Sequence, residues 1–286
     1  MSKIGVVGNT GYIAKALIKQ LQIENFDIIK IGRSADFDVF LDLSNVESFN
    51  YNIISELDFV IFTAAISSPD VCSKEYDIAW NVNVRGTKEI ISNFLKLGIR
   101  VLFLSSDAVY GKNEKNIYTE ESETRPFTPY GKMKKEIEDS FKENVLFKSI
   151  RLSSVVSSTD KFTKYCIESY KNKKVIEVFH PFYRSCIVLE DVLQIFSWLI
   201  RNWNIFEPRI INACGDELIS RVRIVDEINR YLNNSLNYTI TIPEETFFKN
   251  RSRITQMKSL YLQSYKILSE DNFSEKIIKE LRGVQL

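Results

Sequence analysis

The sequence predicts an α/β fold: a doubly wound parallel sheet followed by a smaller C-terminal α/β lobe. Three observations carry this. Short, continuously apolar segments recur at 3–7, 26–31, 58–62, 101–104 and 145–152, the pattern of strands buried on both faces of a parallel sheet. Stretches of helical periodicity separate them, as in repeated strand–helix–strand units. A glycine-bearing turn, Gly8-Asn9-Thr10-Gly11, joins the first strand to the first helix.

In order, the strand at 3–7 leads through that turn into a helix over 12–23, a strand over 26–31 and a third near 39–43. The fourth strand, 58–62, ends at Thr63-Ala64-Ala65, and one long helix is expected from 70 to about 97. The fifth, 101–104, breaks into Ser105, Ser106 and Asp107, and a helix opens at 129 after a polar loop. Thr128 is a good N-cap there, and Pro129 suits a first helical position that needs no N–H. A sixth strand covers 145–152. Beyond it the sequence predicts helices near 161–171, 189–203, 221–232, 255–268 and 274–281, with strands at 175–179 and 209–213. No Pro-, Gly- or Ser-rich linker divides the chain. Residues 1–155 are expected to form a Rossmann-type dinucleotide-binding domain, and 156–286 a lobe that shares the sheet and does not fold alone.

Thirty-eight Lys and Arg against 37 Asp and Glu leave a net charge of +1, which gives no support to nucleic-acid or polybasic membrane binding. Cys72, Cys166, Cys186 and Cys214 lack CxxC spacing and read as buried, reduced thiols. His180 is the lone histidine, which rules out a multi-histidine metal site and argues against a Ser-His-Asp enzyme; no metal ligand set is expected. The N-terminus does not read as a signal peptide, and Arg201 and Asn202 interrupt the longest apolar run, 195–206. The expected protein is soluble, cytoplasmic and free of membrane contacts.

Gly8-x-x-Gly11-x-x-Ala14 lies where a pyrophosphate-cradling turn belongs. Gly8 permits the tight turn, Gly11 the close approach of a phosphate, and Ala14 close helix–strand packing. The second strand ends Ile31-Gly32-Arg33-Ser34 with no acid until Asp36. Arg33 and Ser34 suit a 2′-phosphate, so NADPH is the expected cofactor, with NAD possible. Tyr130 and Lys134 share a helix face, and with the strand-end serine they can donate a proton to a carbonyl oxygen. An ammonium about 4 Å from a phenolate interacts by roughly 4 kcal/mol at an effective dielectric of about 20. Lys134 is therefore expected to draw the Tyr130 pKa down towards neutrality.

Together these residues resemble the extended short-chain dehydrogenase/reductases that act on nucleotide sugars. The resemblance runs through Asp42-Leu43, Thr63-Ala64-Ala65, Asn83-Val84-Arg85-Gly86-Thr87, Ser105-Ser106-Asp107-Ala108-Val109-Tyr110-Gly111, Tyr130-x-x-x-Lys134 and the segment Arg184 to Val192. Arg251-Ser-Arg-Ile-Thr-Gln-Met257 looks like the corresponding segment of the dTDP-4-dehydrorhamnose reductase branch. The resemblance implies that Gly8, Asn9, Thr10, Gly11, Tyr12, Ile13, Asp42, Leu43, Thr63, Ala64, Ala65, Asn83, Tyr130 and Lys134 contact the cofactor. It implies that Asn83 organises the catalytic helix, and that Ser106, Tyr130 and Lys134 are catalytic. It further implies that Ser106, Asp107, Tyr130, Arg184 and Arg251 meet a nucleotide-sugar substrate, Arg184 at its diphosphate, and that the chain forms a homodimer. Ala14 replaces the family's third glycine, and Cys186 and Leu189 depart from its second-lobe pattern.

Ser106-Asp107-Ala108 lacks the glutamate of the related 4,6-dehydratases, and no cysteine lies between Cys72 and Cys166 to serve a coupled epimerase-reductase. The resemblance then implies NADPH-dependent reduction of a 4-keto-6-deoxy sugar. Two alternatives stay open: a 4-epimerase with tightly held NAD, and a non-catalytic NADP-binding regulatory protein.

Overall fold

The computed structural model describes residues 2–284 except 35, 48, 114 and 283. They form two compact units. One comprises Met1–Gly111, Glu123–Arg151 and Phe196–Ile211, the other Lys112–Ser122, Leu152–Ile195 and Asn212–Leu286. The sequence predicts a single boundary near 155; in the structure, 112–122 belong to the second unit and 196–211 to the first. Strand pairing explains both departures. The short strand within 112–122 pairs inside the second unit, and the strand beginning at 210 joins the larger sheet.

The chain begins with β1 (Lys3–Val7), α1 (Tyr12–Ile23), β2 (Asp27–Gly32), β3 (Val39–Phe40) and β4 (Phe59–Phe62). Three helices, α2 (Pro69–Lys74), α3 (Tyr76–Trp80) and α4 (Thr87–Lys96), precede β5 (Arg100–Ser106), the short β6 (Ile117–Tyr118), α5 (Pro129–Phe141) and β7 (Phe147–Leu152). β8 (Val155–Val156), α6 (Lys161–Lys171), β9 (Ile176–Phe179), β10 (Tyr183–Arg184) and β11 (Ile187–Val188) follow. Then come α7 (Leu189–Arg201), β12 (Ile210–Ala213), β13 (Ile219–Ser220), α8 (Arg221–Tyr231), β14 (Tyr238–Thr241), β15 (Ile254–Met257) and α9 (Phe273–Leu281).

Among the described residues the larger sheet has the order β12-β7-β5-β4-β1-β2-β3. It is parallel from β5 to β3, with Ile4 opposite Ile28, Val6 opposite Ile61 and Val60 opposite Val101. The order reverses between β1 and β4. In such sheets the connections diverge beyond the C-terminal strand ends at that point and leave a crevice for a ligand. Gly8 follows β1 there, and Thr63-Ala64-Ala65 follows β4. Beneath them, Val60, Phe62, Ile90, Phe94, Val101 and Phe103 form the core, while α1 buries Ala14, Leu17, Ile18 and Leu21.

The helix expected over 70–97 is broken twice. Glu75 leaves helical geometry at φ −116° and ψ 54°, and Asn81–Gly86 widens into a π-helical stretch. A Cβ on Gly86 would fall 1.9 Å from the Leu43 carbonyl oxygen, so backbone packs on backbone here. The helix expected over 255–268 is also absent. Its start is the strand β15, with Thr255 and Met257 buried and parallel partners on both sides. Non-local pairing outweighs local propensity there.

The second unit contains a sheet ordered β13-β10-β15-β6 and two strand pairs, β8 with β11 and β9 with β14. Cys166, Ile176, Val178, Val225, Ile228 and Ile277 belong to its core. All four cysteines are buried with free thiols. Among the described residues no helix is long and apolar enough to cross a membrane, and no His, Cys, Asp and Glu side chains gather as a metal site.

Candidate active site

The turn after β1 is built for close approach. Gly8 has φ +90°, and a Cβ there would meet the Ala64 backbone nitrogen at 2.7 Å, so only glycine suits the position. Its N–H donates to Ile31 O at 2.9 Å, and the Gly11 N–H donates back to Gly8 O at 3.1 Å. The Thr63 hydroxyl donates to Val7 O at 2.8 Å, pinning the end of β4 to the same turn. Gly11 is the N-cap of α1, with no side-chain cap and no acid in the first turn. Thr10, Gly11 and Tyr12 are exposed, Ala65 is half-buried, and Ile13 and Ala14 anchor the helix below. An uncapped N-terminus beside an open glycine is a ready anion cradle, so the residues fit a dinucleotide pyrophosphate.

Asn9 does something its place in the motif did not announce. Its buried side chain lies over Gly32, where a Cβ would meet Asn9 Oδ1 at 2.4 Å. Its amide donates to Asp36 O at 2.7 Å, bracing the loop that carries Arg33 and Ser34. Both of these residues are exposed. Arg33 lies 3.6 Å from Asp42. The Ser44 N–H and hydroxyl, at 2.9 and 2.7 Å, hold the Asp42 carboxyl below its ordinary pKa, and Arg33 assists. Leu43 is buried in the core, so it can offer a neighbouring ligand only backbone.

β5 delivers Ser106 and α5 delivers Tyr130 and Lys134. Thr128 caps α5 by accepting from Gly131 N at 3.1 Å. A Cβ on Gly131 would lie 2.2 Å from Ala108 O, so the helix start rests against the turn after β5. Ser106 donates to Asp107 Oδ1 at 3.0 Å, accepts from Ala108 N at 3.2 Å, and also hydrogen-bonds the Tyr130 phenol. Lys134 is buried. Its Nζ donates to Leu104 O at 2.6 Å and lies 4.5 Å from the Phe103 ring centre and 5.8 Å from that of Tyr130.

The electrostatics differ from the expectation. Burial, with smaller contributions from Asp107 and Cys72, pushes the Tyr130 phenol above its ordinary pKa; only the Ser106 hydrogen bond pulls the other way. Burial also brings Lys134 down to about 8, against the opposing pull of Glu138 and Cys72. Lys134 spends its short contact on a backbone carbonyl, so desolvation outweighs its attraction for a phenolate.

Glu138, Arg151 and Cys72 surround this cluster without having been read from the sequence as site residues, and Asn83, which the resemblance implies, stands beside them. Glu138, one helical turn beyond Lys134, is held by buried Arg151 through contacts of 3.1, 3.1 and 2.7 Å, and Arg151 also donates to the Tyr110 hydroxyl at 3.0 Å. Cys72 packs with Met133 and Tyr130 and donates to Ile66 O at 3.1 Å. Asn83, on the π-helical stretch, clamps Ile66 from both sides, accepting from its N–H at 2.8 Å and donating to its carbonyl at 3.0 Å. It also reaches Met133 Sδ at 3.6 Å, so its amide ties the segment after β4 to α5.

Arg184 and Arg251 lie in the second unit. The Arg184 guanidinium donates to Tyr183 O, Ser252 O and Arg253 O at 2.6, 2.9 and 3.3 Å. Arg251 donates to Phe247 O at 2.7 Å and stacks 4.4 Å from that ring's centre. Arg221, at the start of α8, stacks on the same aromatic group. Nothing in its surrounding sequence marks it.

A family model described as the RmlD substrate binding domain matches residues 2–238. The chain is 26% identical over 136 residues to the spore coat polysaccharide biosynthesis protein SpsK of Bacillus subtilis (strain 168), covering 47% of this chain and 46% of that one. It thus spans about half the length of the curated relatives it matches. Its fold is shared with a dTDP-4-dehydrorhamnose reductase from Clostridium acetobutylicum ATCC 824, at TM-score 0.84 and 22% identity over 98% of each chain. A dTDP-4-dehydrorhamnose reductase from Bacillus anthracis str. Ames in complex with NADP gives TM-score 0.84 at 20% identity over 100% of each chain. The family match runs from the first strand to the start of β14 and takes in the glycine turn, the serine, the tyrosine and the lysine. The chain belongs to the RmlD substrate binding domain family.

Proposed function

We propose that this chain reduces the keto group of a nucleotide-linked 4-keto-6-deoxy sugar with NADPH. The observation that carries the reading is the convergence of Ser106, the Tyr130 phenol and buried Lys134 at the end of β5. Gly8 to Ile13, Thr63 to Ala65 and Asp42 would hold the cofactor, with Arg33 and Ser34 at a 2′-phosphate and Lys134 at the nicotinamide ribose. When bound, NADPH supplies the hydride. The relative from Bacillus anthracis, solved with NADP, supports that choice.

Tyr130 is the acid. A phenol held above its ordinary pKa keeps its proton at neutral pH and can deliver it to a carbonyl oxygen that is gaining charge. An enzyme that first oxidises an alcohol, as a 4-epimerase does, needs the same group as a base. The raised phenol therefore favours reduction. Ser106 turns its hydroxyl from Asp107 to the substrate oxygen and stabilises it as charge develops. Asp107 accepts that hydroxyl between turnovers and keeps it oriented. The intact tyrosine and lysine speak against a purely regulatory role.

The test is product analysis on dTDP- and GDP-linked 4-keto-6-deoxyhexoses with NADPH and, separately, NADH. A reduced sugar formed in step with NADPH consumption is expected. Interconversion of 4-epimers without net consumption would replace this reading with the epimerase. Catalysis by neither route across both nucleotides would reject it.

A further inference from the structure

A buried arginine with no part in the proposed chemistry stands between the two elements that carry Ser106, Tyr130 and Lys134. Arg151, on β7, meets Glu138 of α5 through contacts of 3.1, 3.1 and 2.7 Å. Its Nη1 donates to the Tyr110 hydroxyl at 3.0 Å, and its guanidinium carbon lies 4.9 Å from that ring's centre. Arg151, Glu138, Tyr110 and Lys134 are all buried. Burial opposes the charge on Arg151, yet Glu138 and Tyr110 together hold it above its ordinary pKa.

One end of this relay is the turn that Ser106 opens and Tyr110 closes. The Ala108 N–H donates to the Ser106 hydroxyl at 3.2 Å, and the Tyr110 N–H to Asp107 O at 3.1 Å. The other end is the face of α5 that carries Lys134, since Glu138 lies four residues on. Near Tyr130, α5 already rests on the same turn through Gly131 and Ala108 O. A single point of contact leaves a helix free to swing; a second, about two helical turns further along, fixes its direction. A buried ion pair adds little net stability over apolar side chains of similar size, so cohesion alone does not account for this one. It also sets a charge beside Lys134. That lysine faces Tyr130 and Glu138 on its own helix, Cys72 on α2 and the Leu104 carbonyl of β5. Burial works against its ammonium, and Glu138 is the foremost group working for it.

We infer that Arg151 is a positioning residue, which locks α5 to the turn carrying Ser106 and fixes the Glu138 carboxylate beside Lys134. Its bearing on turnover rests on the proposed function above; the two-sided lock stands on the geometry.

The experiment compares Tyr110→Phe, which removes one hydroxyl and leaves the Glu138–Arg151 pair intact, with Glu138→Gln, which removes the charge. In protein carrying isotope-labelled lysine, the ε-carbon resonance of Lys134 is identified by its loss in Lys134→Met, and its titration midpoint is read directly. Glu138→Gln takes away a favourable charge and leaves Arg151 unpaired, so the ammonium gives up its proton more readily. The midpoint should fall by on the order of one pH unit. Tyr110→Phe should leave the midpoint in place and, with a keto sugar, lower kcat by on the order of tenfold at unchanged KM for NADPH. Arg151→Lys, which keeps the charge and loses the planar fork, should lower kcat in the same way. Denaturation of Tyr110→Phe, Glu138→Gln and their combination tests the lock without turnover: coupled losses of stability are expected. An unmoved midpoint in folded Glu138→Gln would overturn the role of its carboxylate. Strictly additive losses, or unaltered kcat in both Tyr110→Phe and Arg151→Lys, would overturn the lock. A wild type inert towards every keto sugar would reject the proposed function instead, with the resonance and the denaturation cycle still deciding the role of Arg151.

Discussion

At the scale of single residues, Lys134 decides how the site responds to pH. Burial takes its ammonium down to about 8, while Glu138, held by Arg151, resists that fall. Below that pH the charge beside Tyr130 is present, and above it the charge is lost, whereas the phenol stays protonated through the same range. The rate of carbonyl reduction, measured as kcat/KM against pH, should therefore be level below about 8 and fall as pH rises through it. In Lys134→Arg, whose guanidinium keeps its charge, the falling limb should vanish even if the plateau is lower. A wild-type rate that stays level well above that pH would contradict the assignment. The sequence made the lysine and tyrosine visible through their four-residue spacing. It could not show the direction of their titration, because that depends on Leu104, Asp107 and the depth of burial.

At the scale of elements, the site depends on how closely α5 approaches the turn after β5. Gly131 stands where a Cβ would come within 2.2 Å of Ala108 O and 3.1 Å of Pro126 Cβ. Gly131→Ala should push the helix start off that turn and part Tyr130 from Ser106. We expect kcat to fall by on the order of a hundredfold, as for comparable misplacements of catalytic groups, with KM for NADPH little changed. Unaltered kcat in a folded Gly131→Ala would show that this contact does not set the geometry. The main strands were legible because each is a continuous apolar run between turn residues. The breaks in the helical region 70–97 were not, since no proline stands at Glu75 or in the stretch 81–86, and the Leu43 carbonyl packed on Gly86 comes from far away in sequence. The strand at β15 was hidden in the same way by partners contributed from β10 and β6.

At the scale of the whole molecule, cofactor binding and stability are linked. A ligand bound only by the folded chain adds about 2.7 kcal/mol at a hundred times its Kd, which raises Tm by several degrees for a protein of this size. NADPH should raise Tm more than NADH at equal concentration, and Arg33→Ala should erase most of the difference. Asn9→Ala should do so in part, since the Asn9 amide braces the loop through Asp36 O. Equal shifts for the two cofactors in wild type would remove Arg33 and Ser34 from the 2′-phosphate. The glycine turn and the spacing of Ser106, Tyr130 and Lys134 could be read along the chain, whereas the strand order could not, because pairing between distant segments sets it. Arg221 could not, since only the folding of α6, β10 and the segment around Phe247 gathers aromatic rings about it.

The central claim is that Tyr130 gives a proton to a sugar ketone while NADPH is consumed. It is tested most directly by NADPH oxidation with dTDP- and GDP-4-keto-6-deoxyhexoses, comparing wild type with Tyr130→Phe, a change that removes one hydroxyl and leaves the ring in place. The account predicts turnover in the wild type with at least one of these sugars and a loss of a hundredfold or more in the variant, which still binds NADPH. Equal rates in the two proteins would contradict it.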